Sequence, residues 1–370
     1  MAASIDVCIR GAGVVGSTLA LLLAKERLRV GLVAQPAPAG VADVRAYALN
    51  PASKELLELL RAWPDEPSAT PVLGMEVHGD QGGEVTFAAE AQGLQALAWI
   101  VDVPALQQRL AEALRFQPLV ELLPAPQPAA LTVVCEGRAS ATRAEFGVEF
   151  QTTPYAQQAI AARVRCEKPH GQIARQWFAG GEVLALLPLG GSNVGGAGNS
   201  AALVWSVAQE RAPGLLALAA AEFEAQLATA SHHDLGELAL TSERAAWPLQ
   251  LARADRWSGP GWALAGDAAH TVHPLAGQGL NLGLADAREL ARVLREREYW
   301  RSIGDERLLR RYERASKADV LAMSAATDGL QQLFALQAPG SGWLRNWGMR
   351  GFERSGPLKR WMARQAMGRL

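Results

Sequence analysis

Two stretches of this chain have residue types and spacings suited to chemistry. The first is Gly11-Ala12-Gly13-Val14-Val15-Gly16, which follows the apolar run Ile5 to Ile9 and opens the breaker-free segment Ser17 to Leu28. A GxGxxG pattern between a strand and a helix is the fingerprint of a dinucleotide site. Its first glycine permits a tight turn, its second lets a pyrophosphate reach the backbone, and its third lets the helix pack on the strand. The helix N-terminus then faces the anion. Gly11, Gly13 and Gly16 are therefore candidate cofactor-binding residues; the bland alternative is a glycine-rich turn in an α/β sheet. An acid should end the second strand and grip a ribose. Ala34 and Gln35 stand there instead, and Gln35 can hydrogen-bond a hydroxyl less strongly than a carboxylate would.

The second stretch is Gly266-Asp267-Ala268-Ala269-His270-Thr271-Val272-His273-Pro274-Leu275-Ala276-Gly277-Gln278-Gly279-Leu280-Asn281. An aspartate ending a strand can accept hydrogen bonds from sugar hydroxyls, or it can cap a helix. Gly277 and Gly279 leave backbone open to close approach, with no Cβ to clash, and a helix starting near Leu280 has its positive end there. His270 and His273 lack an evident carboxylate or cysteine partner, so a metal site is not expected, and ordinary loop packing is the commoner role for both.

The elements that must position these stretches are legible from periodicity. Ile5–Ile9, a helix over Ser17–Leu28 and a strand over Arg29–Val33 make a βαβ start. Helices are expected over 51–63, 105–114, 215–230, 282–295 and 306–333. Strands are expected over 131–135, 158–166, 183–189, 202–207 and 262–265, and the stretch 84–99 reads as a strand leaving the first domain. The proline-rich stretch 118–128 reads as loop. The whole is α/β: a Rossmann-like dinucleotide-binding domain over 1–70, 98–145 and 255–325, an inserted antiparallel-sheet substrate domain over 71–97 and 146–254, and C-terminal helices over 326–370.

Composition narrows the function. With 36 Lys and Arg against 37 Asp and Glu, net charge is −1, which gives no bulk attraction for nucleic acid. Cys8, Cys135 and Cys166 are odd in number and widely spaced, which argues against a disulfide framework and for a reducing, cytoplasmic setting. No basic region precedes the first apolar run, so no signal peptide is expected. Charges interrupt every apolar stretch long enough to span a bilayer.

The second stretch resembles the GD motif of the aromatic-hydroxylase class of flavoproteins, and its His-Pro-Leu-Ala-Gly-Gln-Gly-Leu-Asn form resembles the UbiH/UbiF/VisC ubiquinone-biosynthesis branch. The resemblance runs through most of the chain. It includes the segment Asp43-Val44-Arg45-Ala46-Tyr47-Ala48-Leu49-Asn50-Pro51, whose arginine, Arg45, the family places near the cofactor, although a surface ion pair would also suit it. The resemblance implies FAD held by Gly11, Gly13, Gly16, Gln35, Arg45, Gly266, Asp267, Gly277, Gly279, Leu280 and Asn281. It also implies transient NAD(P)H, O2 and a small aromatic substrate, a polyprenylated phenol, between the flavin and the second sheet. Trp177, Leu187 and Leu189 are candidates to line that pocket, although core packing is the commoner role for each leucine. Pro274 is expected to position the ring, and His273 is the candidate base. The basic segment 344–367, with Trp343, Trp347 and Trp361 in or beside it, would cover the FAD domain, the commoner use of such a helix, or touch an anionic face of the inner membrane. Contacts with other ubiquinone-synthesis proteins are a further implication.

The chain departs from the family on the adenosine side. Arg10 replaces an apolar residue, Ala34 an acid, Glu136 the aspartate of an Asp-Gly pair and Val103 a polar residue, and the stretch from Arg115 to Leu131 is too short for the usual β-hairpin. The alternative these changes suggest is an accessory subunit of a ubiquinone-synthesis complex, with weak or no FAD binding.

Overall fold

The protein is described here by a computed structural model over residues 4–34, 43–79, 82–190, 198–272 and 278–335, with side chains to residue 321. Strands β1 (Val7–Arg10), β2 (Val30–Val33), β8 (Val120–Leu123), β9 (Leu131–Val134), β16 (Ser258–Gly259) and β17 (Trp262–Leu264) form a six-stranded sheet ordered β16-β17-β9-β1-β2-β8. Every pairing except β16–β17 is parallel. The carboxyl ends of β1, β9 and β17 therefore share one edge, where ligands of open α/β sheets bind. The strands are near-continuous apolar runs because helices cover them. Helices α1 (Val14–Lys25), α3 (Val103–Arg115) and α7 (Gly279–Arg295) bury Leu19, Leu23, Leu110 and Leu290 in one core with Ile9 and Leu32. Helices α2 (Pro51–Leu59) and α8 (Glu306–Ala335) add Leu57, Leu308 and Tyr312 to it.

The second sheet holds β18 (His270–Thr271), β15 (Ala245–Ala254), β10 (Phe150–Cys166), β13 (Ser200–Ala208), β12 (Glu182–Leu189), β11 (Ile173–Ala179), β5 (Gly74–Gly79) and β6 (Glu84–Ala88), in that order, with β14 (Leu238–Leu240) beside β10. It is antiparallel apart from the β5–β11 pair. One face carries Ile160, Leu184, Leu186, Leu203 and Trp205 into a core closed by Leu215 of α5 (Ala212–Ala217) and by Phe223 and Leu227 of α6 (Ala220–Ala230). A three-stranded sheet, β3 (Ala46–Leu49), β7 (Ala98–Asp102) and β4 (Ala69–Val72), lies on the other face, where Val72 and Ile100 meet Ala174, Leu189 and Ala202. The last helix, α4 (Thr142–Glu145), is a single turn after β9.

Three sequence expectations are corrected. The stretch 118–128 is not all loop, because Val120–Leu123 pairs with β2 as the sheet edge; an edge strand needs one partner only, and Pro118 and Pro124 fall outside it. The stretch 84–99 is two strands in two sheets, separated by a turn at Glu90–Gln92. The helix expected over 215–230 breaks at Leu218, whose backbone is extended. Arg244 donates to the freed carbonyls of Leu215 and Leu218 at 3.0 and 2.8 Å, which makes the break tolerable.

Among the described residues no helix is long and apolar enough to cross a membrane, and no group of three or more His, Cys, Asp or Glu could hold a metal ion.

Candidate functional site

The glycines of the first motif divide by what a Cβ would meet. At Gly11, with φ +109°, it would stand 2.4 Å from the Cys135 carbonyl oxygen; at Gly16 it would stand 1.9 Å from that of Gly11. These two let β1, α1 and β9 close on one another. At Gly13 and Gly279 a Cβ would meet nothing within 4 Å. Gly13 caps α1 and Gly279 opens α7, and neither helix has a side-chain cap or an acid in its first turn. Open space at two uncapped helix N-termini is what a pyrophosphate and a flavin ring would fill, so these residues fit FAD. Replacing Gly13 with alanine should weaken FAD binding by about tenfold, the equivalent of 1.4 kcal/mol, and move the melting temperature of the apoprotein by less than about 2 °C. Fluorescence titration with FAD and a thermal melt separate the two; a large drop in melting temperature would show that Gly13 serves packing instead.

The second motif is a short turn, Gly266–Ala268, directly after β17. Gly266 has φ +63°, and a Cβ at Gly283 would fall 2.7 Å from Val15 Cγ2 and 3.3 Å from the Gly266 Cα. Small residues thus bring α7 against both α1 and the turn. Buried Asp286 of α7 fastens the arrangement: its Oδ2 accepts from the Gly266 N–H at 2.9 Å and lies 2.7 Å from His270 Nε2. The His270 ring stacks on Trp257 at 4.9 Å, and its Nδ1 has no partner among the described residues. His270 does have a carboxylate partner, then, although the sequence spacing did not reveal it.

Asp267, beside this clasp, has an exposed side chain. It keeps a water-accessible side, yet protein crowds the rest of it, and burial pushes its carboxyl above the usual range despite the charges of His270, Arg138 and Arg45. Arg45 donates to both carboxylate oxygens of Asp43, at 2.8 and 2.6 Å, and burial raises the neighbouring Tyr47 phenol. The ion pair that is the general alternative for Arg45 is present, with Asp43, and the Arg45 charge also acts on Asp267. Leu280 packs partly buried against the main core. The Asn281 side chain is committed elsewhere: Oδ1 accepts from Asn50 N–H and Ser53 Oγ at 3.0 and 2.7 Å, and Nδ2 donates to the Ala48 carbonyl at 2.8 Å. It ties α7 to β3 and α2 and has no side-chain capacity left over for a cofactor. Gln35, His273, Pro274 and Gly277, and the segment 344–367, lie outside the described residues.

Two of the departures on the adenosine side, Arg10 and Glu136, are partners. Arg10 Nε donates to Glu136 at 3.1 Å, and its two terminal nitrogens donate to Glu145 at 2.7 and 3.2 Å. Ser140 and Thr142 hydroxyls donate to Glu136 at 2.7 Å. Burial alone would raise the Glu136 carboxyl, but these hydrogen bonds and the Arg10 charge draw it below its ordinary value. Arg143, buried over the Phe150 ring, donates to the Ala268 carbonyl at 3.1 Å and so joins this loop to the second motif. Sequence reasoning missed Asp286 and Arg143. A signal for Asp286 existed: it is an acid on the same helical face as Leu282 and Leu290.

A cavity of about 90 Å3 lies between β3 and the face of the second sheet opposite α5 and α6. Arg45 and Tyr47 are on its lining, with Leu187 and Trp247. Of the residues expected there, Leu187 is present. Leu189 packs in the core below β7, and Trp177 faces the other way, into the α5–α6 core, with Nε1 donating to Asp234 at 3.2 Å. Strand alternation decides this, since Trp177 and Leu184 pair in register on the helix-covered face.

A parallel sheet with a dinucleotide cradle, joined to an antiparallel sheet with an apolar cavity between it and β3, defines a flavoprotein of the two-sheet monooxygenase class. Residues 128–327 match the family described as FAD binding domain. The chain is 33% identical to the ubiquinone hydroxylase UbiL of Rhodospirillum rubrum, over 99% of this chain and 90% of that one. It is 32% identical to the 3-demethoxyubiquinol 3-hydroxylase of Escherichia coli, over 98% of both chains. Among solved structures, PqsL of Pseudomonas aeruginosa, titled a probable FAD-dependent monooxygenase, superposes with a TM-score of 0.76 at 22% identity, over 94% of this chain and all of that one. The chain belongs to the FAD-binding monooxygenase family that contains the ubiquinone hydroxylases. It is a flavoprotein oxidoreductase with FAD as its cofactor.

Proposed function

We propose that this enzyme hydroxylates the ring of a polyprenylated phenol in ubiquinone assembly, with NAD(P)H and O2 as co-substrates. The carrying observation is the apolar cavity whose lining includes Arg45 and Tyr47, the residues electrostatically coupled to Asp267. Bound FAD supplies electron transfer from the nicotinamide and activation of O2. The protein's own part is binding, orientation and exclusion of water. In this reading the α1 N-terminus at Gly13 takes the pyrophosphate, Asp267 accepts from the ribityl hydroxyls, and the α7 N-terminus at Gly279 faces the ring and favours negative charge on it. Gly11, Gly16 and Gly266 shape the cradle. Gln35, Gly277, and Pro274 and His273 as residues beside the reacting ring, belong to the proposal on the family resemblance alone.

The division into an FAD lobe (1–70, 98–145, 255–325), a substrate lobe (71–97, 146–254) and a C-terminal segment (326–370) is part of the same proposal; membership of the two large sheets supports the two lobes. So are a cytoplasmic setting, a peripheral contact of the basic segment 344–367 with an anionic membrane face, and contacts with other ubiquinone-synthesis proteins. The accessory-subunit alternative drew on Ala34, Glu136, Arg10 and the missing hairpin; Arg10 and Glu136 form an ion pair with each other, while Ala34 and the short 115–131 stretch remain as its support. The test is the visible spectrum after gel filtration, followed by phenol-stimulated NAD(P)H oxidation with a product one oxygen heavier. A protein that stays colourless in excess FAD would overturn the proposal.

A further inference from the structure

Arg45 enters the site just ahead of a strand, since β3 begins at Ala46. Its backbone is held from the second sheet. Arg163 stands in β10, two residues from Ala161, and so projects from the face that lines the cavity beside β3. Its Nε donates to the Val44 carbonyl at 2.9 Å, and its Nη2 donates to the Arg45 carbonyl at 3.1 Å. The same Nη2 lies 2.9 Å from Asp102 Oδ2. Asp102 is available for this role because, although it precedes α3, its side chain does not cap that helix. The Val103 N–H completes the junction by donating to the Arg45 carbonyl at 3.3 Å. Arg163 is itself anchored at its backbone: its N–H donates to Ser242 Oγ and its carbonyl accepts from the Thr241 N–H, both at 2.8 Å. One planar guanidinium thus ties residues 44–45 to the end of β7 and to the middle of β10. The Arg45 side chain is fixed at its far end by Asp43. Burial would raise the Asp43 carboxyl, but its bonds to Arg45 and the charges of Arg45 and Arg163 draw it below its ordinary value. Arg163 therefore acts on Arg45 at both ends, through the backbone and through the acid that holds its guanidinium.

We infer that Arg163 is a positioning residue for the cofactor site: from the second sheet it sets the place of Arg45, and Asp102 orients it. The inference rests on Arg45 belonging to the FAD site, as the proposed function has it. Binding sites are held in productive geometry by supporting residues of this kind, locked by their own hydrogen bonds. Lysine is no substitute here, because a single ammonium lacks the planar fork that reaches two carbonyls and a carboxylate together.

The test is a double-mutant cycle on the full chain, read as FAD affinity by fluorescence titration well below the melting point of every variant, so turnover plays no part. Arg163→Ala weakens FAD binding by about tenfold, the size of coupling expected within one hydrogen-bonded network. Arg45→Ala weakens it as well, and in that background Arg163→Ala costs less than about twofold. A residue that merely supports the fold would cost the same in both backgrounds. Arg163→Lys recovers little of the loss. Asp102→Asn, which keeps an oxygen in place of the carboxylate, gives a smaller loss of about threefold that also vanishes in the Arg45→Ala background, and it carries the test if Arg163→Ala does not fold. No loss from whichever of the two variants folds, equal losses in both backgrounds, or full recovery by lysine overturns the inference and leaves Arg45 in the site. An Arg45→Ala variant that binds FAD as tightly as the parent takes Arg45 out of the site, and the inference falls with it.

Discussion

Replacing Asp267 with asparagine should weaken FAD binding by about tenfold to a hundredfold while leaving the apoprotein at least as stable as the parent. The first half follows from the worth of a hydrogen bond to a charged group, about 1.5 to 3 kcal/mol, at 1.4 kcal/mol per tenfold. The second follows from the environment of Asp267, where burial raises the carboxyl above its ordinary value of 3.8. A carboxyl raised in the folded state favours folding when protonated and opposes it when ionised. Its cost is therefore present at pH 7 and disappears as pH falls through the raised value towards 3.8. The variant should melt no lower than the parent at pH 7, and any advantage should shrink on acidification. FAD fluorescence titration and thermal melts at pH 7 and near pH 4.5 read both halves. An affinity within threefold of the parent would remove Asp267 from the cofactor site, and a melting temperature several degrees lower at pH 7 would show that its ionised form helps to fold the protein.

That a functional acid should be unfavourable to the fold that holds it also explains which parts of the site were legible in sequence. The glycines were readable because their requirement is local: Gly11 and Gly16 answer to a backbone oxygen within a few residues or on the next strand, and the spacing that achieves this is a fixed pattern. The inner strands β1, β2, β9 and β17 were readable because burial on both sides makes continuous apolar runs, whereas the edge strand β8, with Glu121 and Leu122 exposed, was read as loop. What sequence could not supply was pairing at a distance. Arg10 and Glu136, 126 residues apart, look like two separate losses when read singly and become one ion pair when β1 and β9 lie side by side. Trp177 looked suited to an aromatic pocket, but the register of β11 against β12 decides its face, and register depends on partners. Asn281 reads as a ligand within its motif and serves instead as a clamp on the β3–α2 junction, a role that exists only once residues near 50 are brought to it.

The same logic gives the largest effect expected from a single substitution. Asp286 is buried on α7, 20 residues from the Gly266 N–H that it accepts from and 16 from His270. Alanine at 286 leaves both groups without an acceptor in a place water does not reach. Breaking a buried, hydrogen-bonded ionisable pair costs about 3 to 5 kcal/mol, and in a chain of 370 residues the melting temperature should fall by about 4 to 6 °C. Among the described residues Asp286 is the acceptor that fastens the Gly266 amide to α7, so the turn that carries Asp267 should also loosen and FAD affinity should fall with stability. The pairing with Asp267→Asn is what makes the result informative: that variant loses affinity alone, whereas Asp286→Ala loses both. Asp286→Asn, which keeps an oxygen for the Gly266 N–H, should recover part of each. A melting temperature for Asp286→Ala within about 2 °C of the parent would mean that the turn is held by its glycines and by α7 packing on Val15, and that the carboxylate only orients His270.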